Sequence, residues 1–402
     1  MINLSLNKKI IIFGFIFTFF SSFGQSFFLG LFNAPIRNEL DISHGQFGAI
    51  YATATICSSL LLIWVGKKID DYKLLYYSLF VVLLLAVSSL IFSFIINIHL
   101  LAIGIFLMRF SGQGLMSHTS TTAISRYFEK SRGKALSIIW FGLSTAEFIL
   151  PVLITYLIFL YSWRSVWQGI ALLIMILLPI VIYKCIKTIN LESREGDKSE
   201  NKKYEIKNWT RMEVIKDYKF YIVSLNMLAG PWIITGIFIY QSFISDAKLW
   251  SSFAIPKAFM FYSVTSILSL ILSGFLVDKY TSRKLMPLIN IPLLLSMISL
   301  VIFKHELSAF IFLGLIGITN GLANVLGSST WAEIYGVKYI GSIKALTTAL
   351  MVFSTAFGTA LFGILIDQGF LIENIALISG SYIVISLALL LAFRKKLEPV
   401  RM

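Results

Sequence analysis

Charge and cysteine are both scarce in this sequence of 402 residues. Only 13% of the residues are charged, whereas a soluble protein carries about 25%. The two cysteines, Cys57 and Cys185, fall within or at the end of apolar runs. They therefore indicate neither a disulfide framework nor a metal site. This composition argues against a soluble enzyme, a disulfide-rich secreted domain and a metalloprotein.

The sequence motifs of common catalytic sites are missing as well. The chain has no His-Glu-x-x-His, no Gly-x-Ser-x-Gly and no Gly-x-x-x-x-Gly-Lys-Ser/Thr pattern. These patterns belong to zinc proteases, serine hydrolases and phosphate-binding loops. We therefore expect no enzyme activity, no cofactor and no ATP-driven pump.

Apolar residues dominate what remains, at 57% of the chain with a mean hydropathy of +0.83. A run of 18 or more such residues is long enough to cross a hydrocarbon core of about 30 Å. The runs predict an all-α membrane protein with twelve transmembrane helices. We place them at roughly 9–33, 45–65, 74–96, 99–126, 133–160, 164–187, 218–243, 255–277, 284–303, 307–333, 340–366 and 372–394.

Basic residues outnumber acidic ones by 34 to 20, which gives a net charge of +14. They lie in short loops between apolar runs, which is typical of cytoplasmic membrane loops and not of a nucleic-acid surface. With both termini in the cytoplasm, 28 of the 34 fall on that side. Five fall outside, namely Arg37, Arg164, Lys248, Lys257 and Lys304. We expect a multi-pass protein of the cell (inner) membrane with cytoplasmic termini.

A polar segment of mixed charge, residues 188–217, divides the chain into six spans and six spans. We predict an N-terminal six-helix bundle over 1–187, a flexible cytoplasmic linker over 188–217 and a C-terminal six-helix bundle over 218–402. The loop 66-GKKIDDYKLL-75 and the loop 274-GFLVDKYTSRKL-285 share a Gly-x-x-x-Asp pattern at an offset of 208 residues. This repeat predicts two pseudo-symmetric bundles with a binding site near the midplane.

Twelve spans in two related halves, with the Gly-x-x-x-Asp loop in each, resemble the major facilitator superfamily. Arg109 followed by 112-GQG-114 is similar to that family's fourth-helix motif, and Trp163-Arg164 is similar to its Trp-Arg pair. The run 112-GQGLMSHTSTTAISRYFEKSRGKAL-136 most resembles bacterial members of the monocarboxylate-porter-like branch. The resemblance implies the major facilitator fold and secondary active transport by alternating access.

Arg109 is the unusual residue of the fourth span, about 15 Å from its end. An unpaired arginine at the bilayer centre costs roughly 2.5–3.5 kcal/mol on translocon scales. Glu147, in the fifth span, is the acidic residue at a comparable depth. We predict that the two residues pair, and that Glu147 carries a proton when the pair opens. A purely structural ion pair between two helices is the alternative.

Other polar side chains within the spans are candidates for substrate binding beside Arg109. Gln113 shares a helix face with Arg109 and either binds substrate or supports the arginine. His118 lies on the opposite face, where packing or a helix–helix hydrogen bond is favoured and a role as proton carrier is the alternative. The remaining candidates are Gln25, Asn226, Gln241, Asn320 and Asn324, for which interhelical hydrogen bonding is the alternative.

The two loop aspartates are candidate gating residues. By resemblance, Asp70 and Asp278 each bond a cation when the cytoplasmic side is closed; a plain solvated loop is the alternative. Arg126 and Arg132 are the nearest cations in the first half.

These observations predict a monomeric transporter that moves a small organic anion, such as a monocarboxylate, together with a proton across the lipid bilayer. Two alternatives stay open. One is a proton-driven exporter of cationic or amphipathic drugs, and the other is a membrane sensor that binds a ligand without moving it.

Overall fold

The computed structural model describes residues 4–128, 132–187, 207–336 and 338–398. The chain divides into two compact units, Met1–Ser199 and Glu200–Met402. Every regular element in the described ranges is helical. Of the predicted linker, residues 188–206 lie outside these ranges.

The first unit begins with a helix that is broken near its middle. Helix α1 is followed by a 3₁₀ turn at Ser22–Gly24, the short α2 and a second 3₁₀ turn at Gly30–Phe32. The two halves of this broken span, Lys8–Gly24 and Ser26–Leu40, meet at an angle of 44°. The helices of the first unit are α1 (Leu4–Ser21), α2 (Ser26–Leu29), α3 (Asn33–Leu40), α4 (His44–Lys67), α5 (Leu74–Ser93), α6 (Ile98–Met108), α7 (Ser117–Tyr127), α8 (Arg132–Leu160) and α9 (Trp163–Ile186).

A π-helical segment, Arg109–Met116, joins α6 to α7 without a loop. The predicted fourth span is therefore continuous but locally under-wound. Single π segments inside longer helices are frequent at functional sites. This one begins at the arginine that the sequence singles out.

The second unit repeats the pattern of long apolar helices. Its helices are α10 (Arg211–Lys216), α11 (Tyr218–Ile239), α12 (Gln241–Ala247), α13 (Ala254–Lys279), α14 (Ser282–Leu285), α15 (Pro287–Ile302), α16 (Ser308–Tyr335), α17 (Ile340–Asp367) and α18 (Ile372–Ala392). A short 3₁₀ turn, Arg394–Leu397, follows the last of them.

Eleven helices in the described residues are long and apolar enough to cross a membrane, and the bent first span, counted as one, makes a twelfth. Many of their large apolar side chains are exposed, as Trp64 at 68% and Phe159 at 80% illustrate. Such surfaces suit contact with lipid and not with water. The predicted all-α membrane fold is confirmed.

An ion pair closes one end of each unit. In the first, Arg164 at the start of α9 donates to Glu39 at the end of α3 over 2.5 Å, and the Trp163 indole donates to the same carboxylate over 2.7 Å. In the second, Lys248 just after α12 lies 2.6 Å from Glu373 in α18. We refer to these as the Glu39–Arg164 pair and the Lys248–Glu373 pair.

Residues 207–217, the last part of the predicted linker, are ordered against the second unit. The Trp209 amide donates to the carbonyl of Tyr335 over 3.0 Å, and the two rings lie edge to face at 5.6 Å. The Asn208 side chain accepts from the Lys338 amide over 3.1 Å. We call residues 207–217 the strap. The prediction of a flexible linker is wrong for this part, because the strap satisfies the end of α16.

The strap also holds itself together. Thr210 and Glu213 form a capping box at the start of α10, and Val214 is buried in the apolar core of the second unit. The Thr210 amide and the nearby Lys207 ammonium lower the pKa of the Glu213 carboxyl to about 2. The carboxylate therefore stays ionised and keeps α10 capped at neutral pH.

We predict that Trp209→Ala destabilises the second unit, because it removes the ring that packs on Tyr335. For a half-buried tryptophan we expect about 2 kcal/mol. The loss is measured as a lower thermal midpoint of purified protein in detergent. Trp64→Ala, at an exposed position, is the control and should change the midpoint little. Equal effects of the two substitutions would contradict a packing role for the strap.

Candidate functional site

Arg109 is buried in the first unit at the point where α6 passes into the π segment, with 5% of the residue exposed. Its Nη1 donates to the carbonyl oxygen of Gly24 over 3.2 Å. Its guanidinium carbon lies 5.2 Å from the centre of the Tyr51 ring. The cation is thus held by a backbone dipole and by an aromatic face, both of which are neutral groups.

The backbones of the broken first helix and the π segment touch at two glycines. A Cβ atom at Gly24 would lie 2.3 Å from the carbonyl oxygen of Met108 and 2.4 Å from the amide nitrogen of Gln113. A Cβ atom at Gly112 would lie 2.7 Å from the amide nitrogen of Gly24. Only glycine permits this approach, and the approach places the Gly24 carbonyl within reach of Arg109.

The predicted ion pair between Arg109 and Glu147 is not formed. Glu147 is buried on α8, with 6% of the residue exposed. Its carboxyl group forms no hydrogen bond and no ion pair with any described residue. The pair fails because the guanidinium turns towards Gly24 and Tyr51, so it contacts α4 and the break in the first helix. The predicted pair followed from the similar depth of Arg109 and Glu147 in the membrane, and depth does not determine the direction in which a side chain points.

Unpaired polar atoms lie on the elements around Arg109. The arginine Nε has no hydrogen-bond partner, and the same holds for the hydroxyl groups of Tyr51, Thr55 and Ser22. All four residues are buried. Buried polar groups are normally paired, so these unpartnered atoms, on the π segment and on two elements that pack against it, are candidates for contact with a ligand.

Gln25 and Gln113 lie at the contact between the broken first helix and the π segment. Gln25 is the extended residue between the 3₁₀ turn and α2, directly after the carbonyl that Arg109 binds. The Gln113 backbone lies against Gly24. Both side chains are half-buried. The structure therefore brings three of the predicted binding residues, Arg109, Gln25 and Gln113, to one place in the first unit.

The four candidates of the second unit do not form a comparable group. Asn226 is fully buried in α11, and its carbonyl accepts from the Asn290 side chain over 2.6 Å. Asn320 donates to Ser266 over 3.2 Å, and Gln241 donates to the Phe238 carbonyl over 2.9 Å. The Asn320 side chain thus makes an interhelical hydrogen bond, the alternative left open for it, whereas the Gln241 bond is local to the chain. The side-chain amide of Asn226 has no hydrogen-bond partner among the described residues. Asn324 is exposed on α16.

Among the candidate gating residues, Asp70 and Arg126 form an ion pair. Arg126 also donates to the carbonyl of Ile69 over 3.4 Å. A crevice of about 330 Å³ adjoins this pair, lined by Thr121, Thr122, Ser125 and Arg126. The side chains of Asp278 and Arg132 lie outside the described residues, so their predicted contacts stay predictions.

In the second unit, Glu333 holds the loop after α13. Its carboxylate accepts from the backbone amides of Ser282 over 2.8 Å and Arg283 over 3.1 Å. The Arg283 guanidinium lies 3.8 Å from it. A carboxylate at the first amides of a helix is a favourable cap.

His118 packs as expected. Its Nε2 lies 3.0 Å from the carbonyl oxygen of Gly66 at the end of α4. This bond joins α7 to α4, four residues before Asp70 on one side and eight residues before Arg126 on the other.

A family model described as the Major Facilitator Superfamily matches residues 14–245, which is more than half of the chain. The chain belongs to this superfamily. The fold and the two short motifs around Arg109 and Asp70 agree with that assignment.

Solved structures of superfamily transporters share the fold over the full length. One is a bacterial homologue of the human lysosomal transporter Spinster, inward-facing and unoccupied, with a TM-score of 0.70, 12% identity and 98% of each chain covered. Another is the nucleoside transporter NupG, with a TM-score of 0.73, 15% identity and coverage of 97% of this chain and 99% of that one. At these identities the likeness concerns the fold alone.

Membership of the superfamily makes this protein a secondary membrane transporter and not an enzyme. Arg109 stands out in the sequence, whereas Gly24 and Tyr51, which contact it, do not, and neither does Thr55 one turn from Tyr51. A tyrosine in an apolar span is unremarkable by itself. The pair of glycines could have pointed to Gly24, because Gly24 and Gly112 each stand next to a polar candidate, Gln25 and Gln113.

We predict that Gly112→Ala destabilises the first unit by about 1–3 kcal/mol, since the new methyl group meets backbone atoms that cannot rotate away. Thermal unfolding in detergent measures the change. Gly169→Ala is a matched control in the same unit, because nothing lies within 4 Å of a Cβ atom there. That substitution should be neutral or stabilise by up to about 1 kcal/mol. A stable Gly112→Ala protein would contradict the tight backbone contact.

Proposed function

We propose that this protein carries a small organic anion with one negative charge, together with a proton. The observation that supports the proposal is the burial of Arg109 without a carboxylate partner among the described residues. A guanidinium in apolar surroundings is unfavourable unless a negative charge or strong acceptors compensate it. A bound anion supplies that charge.

The charge count favours a monoanion over a dianion. Of the two deeply buried basic side chains in the described residues, Lys248 is already paired with Glu373. Arg109 alone offers one positive charge. A dianion beside it would keep an uncompensated charge in a medium of low dielectric constant, which is costly.

Glu147 is our candidate for the proton. It is buried and lacks a charged partner in the described ranges. Ionisable groups in that situation within membranes belong mostly to ion and proton pathways. With the anion at Arg109 and the proton at Glu147, the occupied protein carries no additional charge, which favours their joint movement.

The transport step follows the alternating-access scheme of the superfamily, in which the site opens to one side of the membrane at a time. Gln25 and Gln113 are proposed to contact the bound anion through their amide groups, since both flank Arg109. A role in substrate binding is also proposed for the candidates of the second unit, Asn226, Gln241, Asn320 and Asn324. The Asp70–Arg126 pair is proposed as a cytoplasmic gate. Asp278 and Arg132 are proposed as further gating residues.

Uptake into proteoliposomes tests the proposal. Labelled propionate should accumulate when the vesicle interior is made alkaline, and collapse of the pH gradient should abolish the accumulation. Driven clearance of a lipophilic cation would instead identify a drug exporter. Uptake of a labelled nucleoside without any effect of propionate would point to a substrate like that of NupG. Absence of counterflow for every compound would favour a sensor.

We predict that Arg109→Gln lowers propionate uptake at least tenfold, because a charge-assisted hydrogen bond worth about 1.5–3 kcal/mol is lost. Arg109→Lys keeps the charge but not the free Nε–H, so it should retain part of the activity. Lys187→Gln, at an exposed position, controls for the loss of one positive charge. Gel filtration and the thermal midpoint establish that each variant is folded. Normal uptake by folded Arg109→Gln would refute the anion site.

We predict that Glu147→Gln abolishes accumulation driven by the pH gradient and leaves exchange of internal for external propionate intact. The amide keeps the shape of the side chain but carries no exchangeable charge, so uncoupled exchange continues. The two modes are measured in the same vesicles. If driven accumulation persists in Glu147→Gln, the proton travels elsewhere and the coupling role is wrong.

A further inference from the structure

We propose that Tyr51 and Thr55 supply the hydroxyl donors of the anion site, and that Tyr51 in particular sets the affinity for a carboxylate. This inference rests on the proposed function, because it assigns residues to the same Arg109 site. Neither residue was a candidate from the sequence. Both lie on α4, one helical turn apart.

The first observation is that both hydroxyl groups are buried and free. Tyr51 has 0% of its surface exposed and Thr55 has 2%, and neither hydroxyl has a hydrogen-bond partner. Helical Ser and Thr hydroxyls usually bond a carbonyl one turn earlier. On the same helix Thr53 does so with Ala49 over 2.9 Å, whereas Thr55 does not.

The register of the helices places Tyr51 and Thr55 on one face of α4, within a few turns of the level of Arg109. Helix α4 runs alongside the π segment and α7 in the same direction, since Gly114 contacts Leu62 and His118 contacts Gly66, both at an offset of 52 residues. Arg109 is therefore level with Cys57. Long helical side chains point towards the helix N-terminus. The Arg109 guanidinium carbon accordingly lies 5.2 Å from the centre of the Tyr51 ring, and Thr55 follows Tyr51 by one turn on the same face of α4.

The chemistry of the free donors suits a carboxylate. One N–H of Nη1 donates to Gly24, and the Nε–H and the two hydroxyl groups, which have no partner, are among the donors left for a ligand. A carboxylate has two oxygens that accept several hydrogen bonds, and donors to an ion give short, strong bonds. Tyr51 then has two separable tasks, since its ring face holds the guanidinium and its hydroxyl group contacts the anion.

The decisive comparison is Tyr51→Phe, which keeps the ring and removes only the hydroxyl group. Tyr77→Phe is the matched control in the same unit, because the Tyr77 hydroxyl donates to the Val65 carbonyl over 3.1 Å, away from Arg109. Thr55→Val removes the second hydroxyl at nearly constant shape. Each purified full-length variant is titrated at pH 7.5 with propionate and, separately, with the neutral amide propionamide.

We expect propionate, but not propionamide, to raise the thermal midpoint of the unmodified protein through binding to the folded state. Tyr51→Phe should raise the dissociation constant for propionate about tenfold, as expected for the loss of one hydrogen bond to a charged group. Thr55→Val should weaken it severalfold, and Tyr77→Phe should leave it unchanged.

The possible failures are distinguishable. No midpoint shift with propionate in the unmodified protein would contradict the proposed function itself. A normal shift that is unchanged in both folded Tyr51→Phe and folded Thr55→Val would overturn only this inference, and would mean that water occupies the free hydroxyls. If Tyr51→Phe does not fold, Thr55→Val alone decides the result. A loss of binding in Tyr77→Phe equal to that in Tyr51→Phe would also overturn it.

Discussion

A guanidinium buried without a carboxylate constrains the whole first unit. Arg109 needs acceptors, and a regular helix offers none, because each interior carbonyl already accepts from the amide one turn later. The break after α1 brings the Gly24 carbonyl to the arginine. The two glycines allow that approach, and the π segment starts at the arginine. Broken helix, glycine contact and under-wound segment are thus parts of one arrangement.

Apolar run length was sufficient to predict the transmembrane helices, because membrane thickness sets their length. The two halves were predicted from the polar middle segment and the repeated loop pattern, and the family from the resemblance of short motifs. The apolar fourth span made Arg109 stand out. The family resemblance implied a cation partner for Asp70, and the structure pairs it with Arg126, one of the two nearest candidates. The contact of Arg109 could not be predicted in this way. A helical wheel assumes 100° per residue, and a π segment changes the direction in which the following side chains point. The broken first helix is likewise invisible in a continuous apolar run, so Gly24 and Tyr51 were missed as its partners.

The ion pairs at the ends of the two units carry information about the duplication. Glu39 and Lys248 stand 209 residues apart, and so do Arg164 and Glu373. The same two helix ends are joined in each unit, but the charges are exchanged. A change in one partner alone would have left two like charges adjacent, which is unfavourable. Both units therefore have an ion pair between the equivalent helix ends, but the acidic and basic residues have exchanged places. The two positions must carry opposite charges, whichever of them is the acidic one.

The strap has a practical meaning for anyone who dissects this protein. Lys207 to Asp217 are structurally part of the second unit, since Asn208 and Trp209 complete the end of α16 and Asp217 accepts from the Tyr335 hydroxyl. A C-terminal fragment cut at the first residue of α11 would lack them and expose the Tyr335 ring. The junction of a split reporter, an inserted protease site or an expressed C-terminal half should accordingly lie upstream of Lys207, so that the fragment keeps the strap.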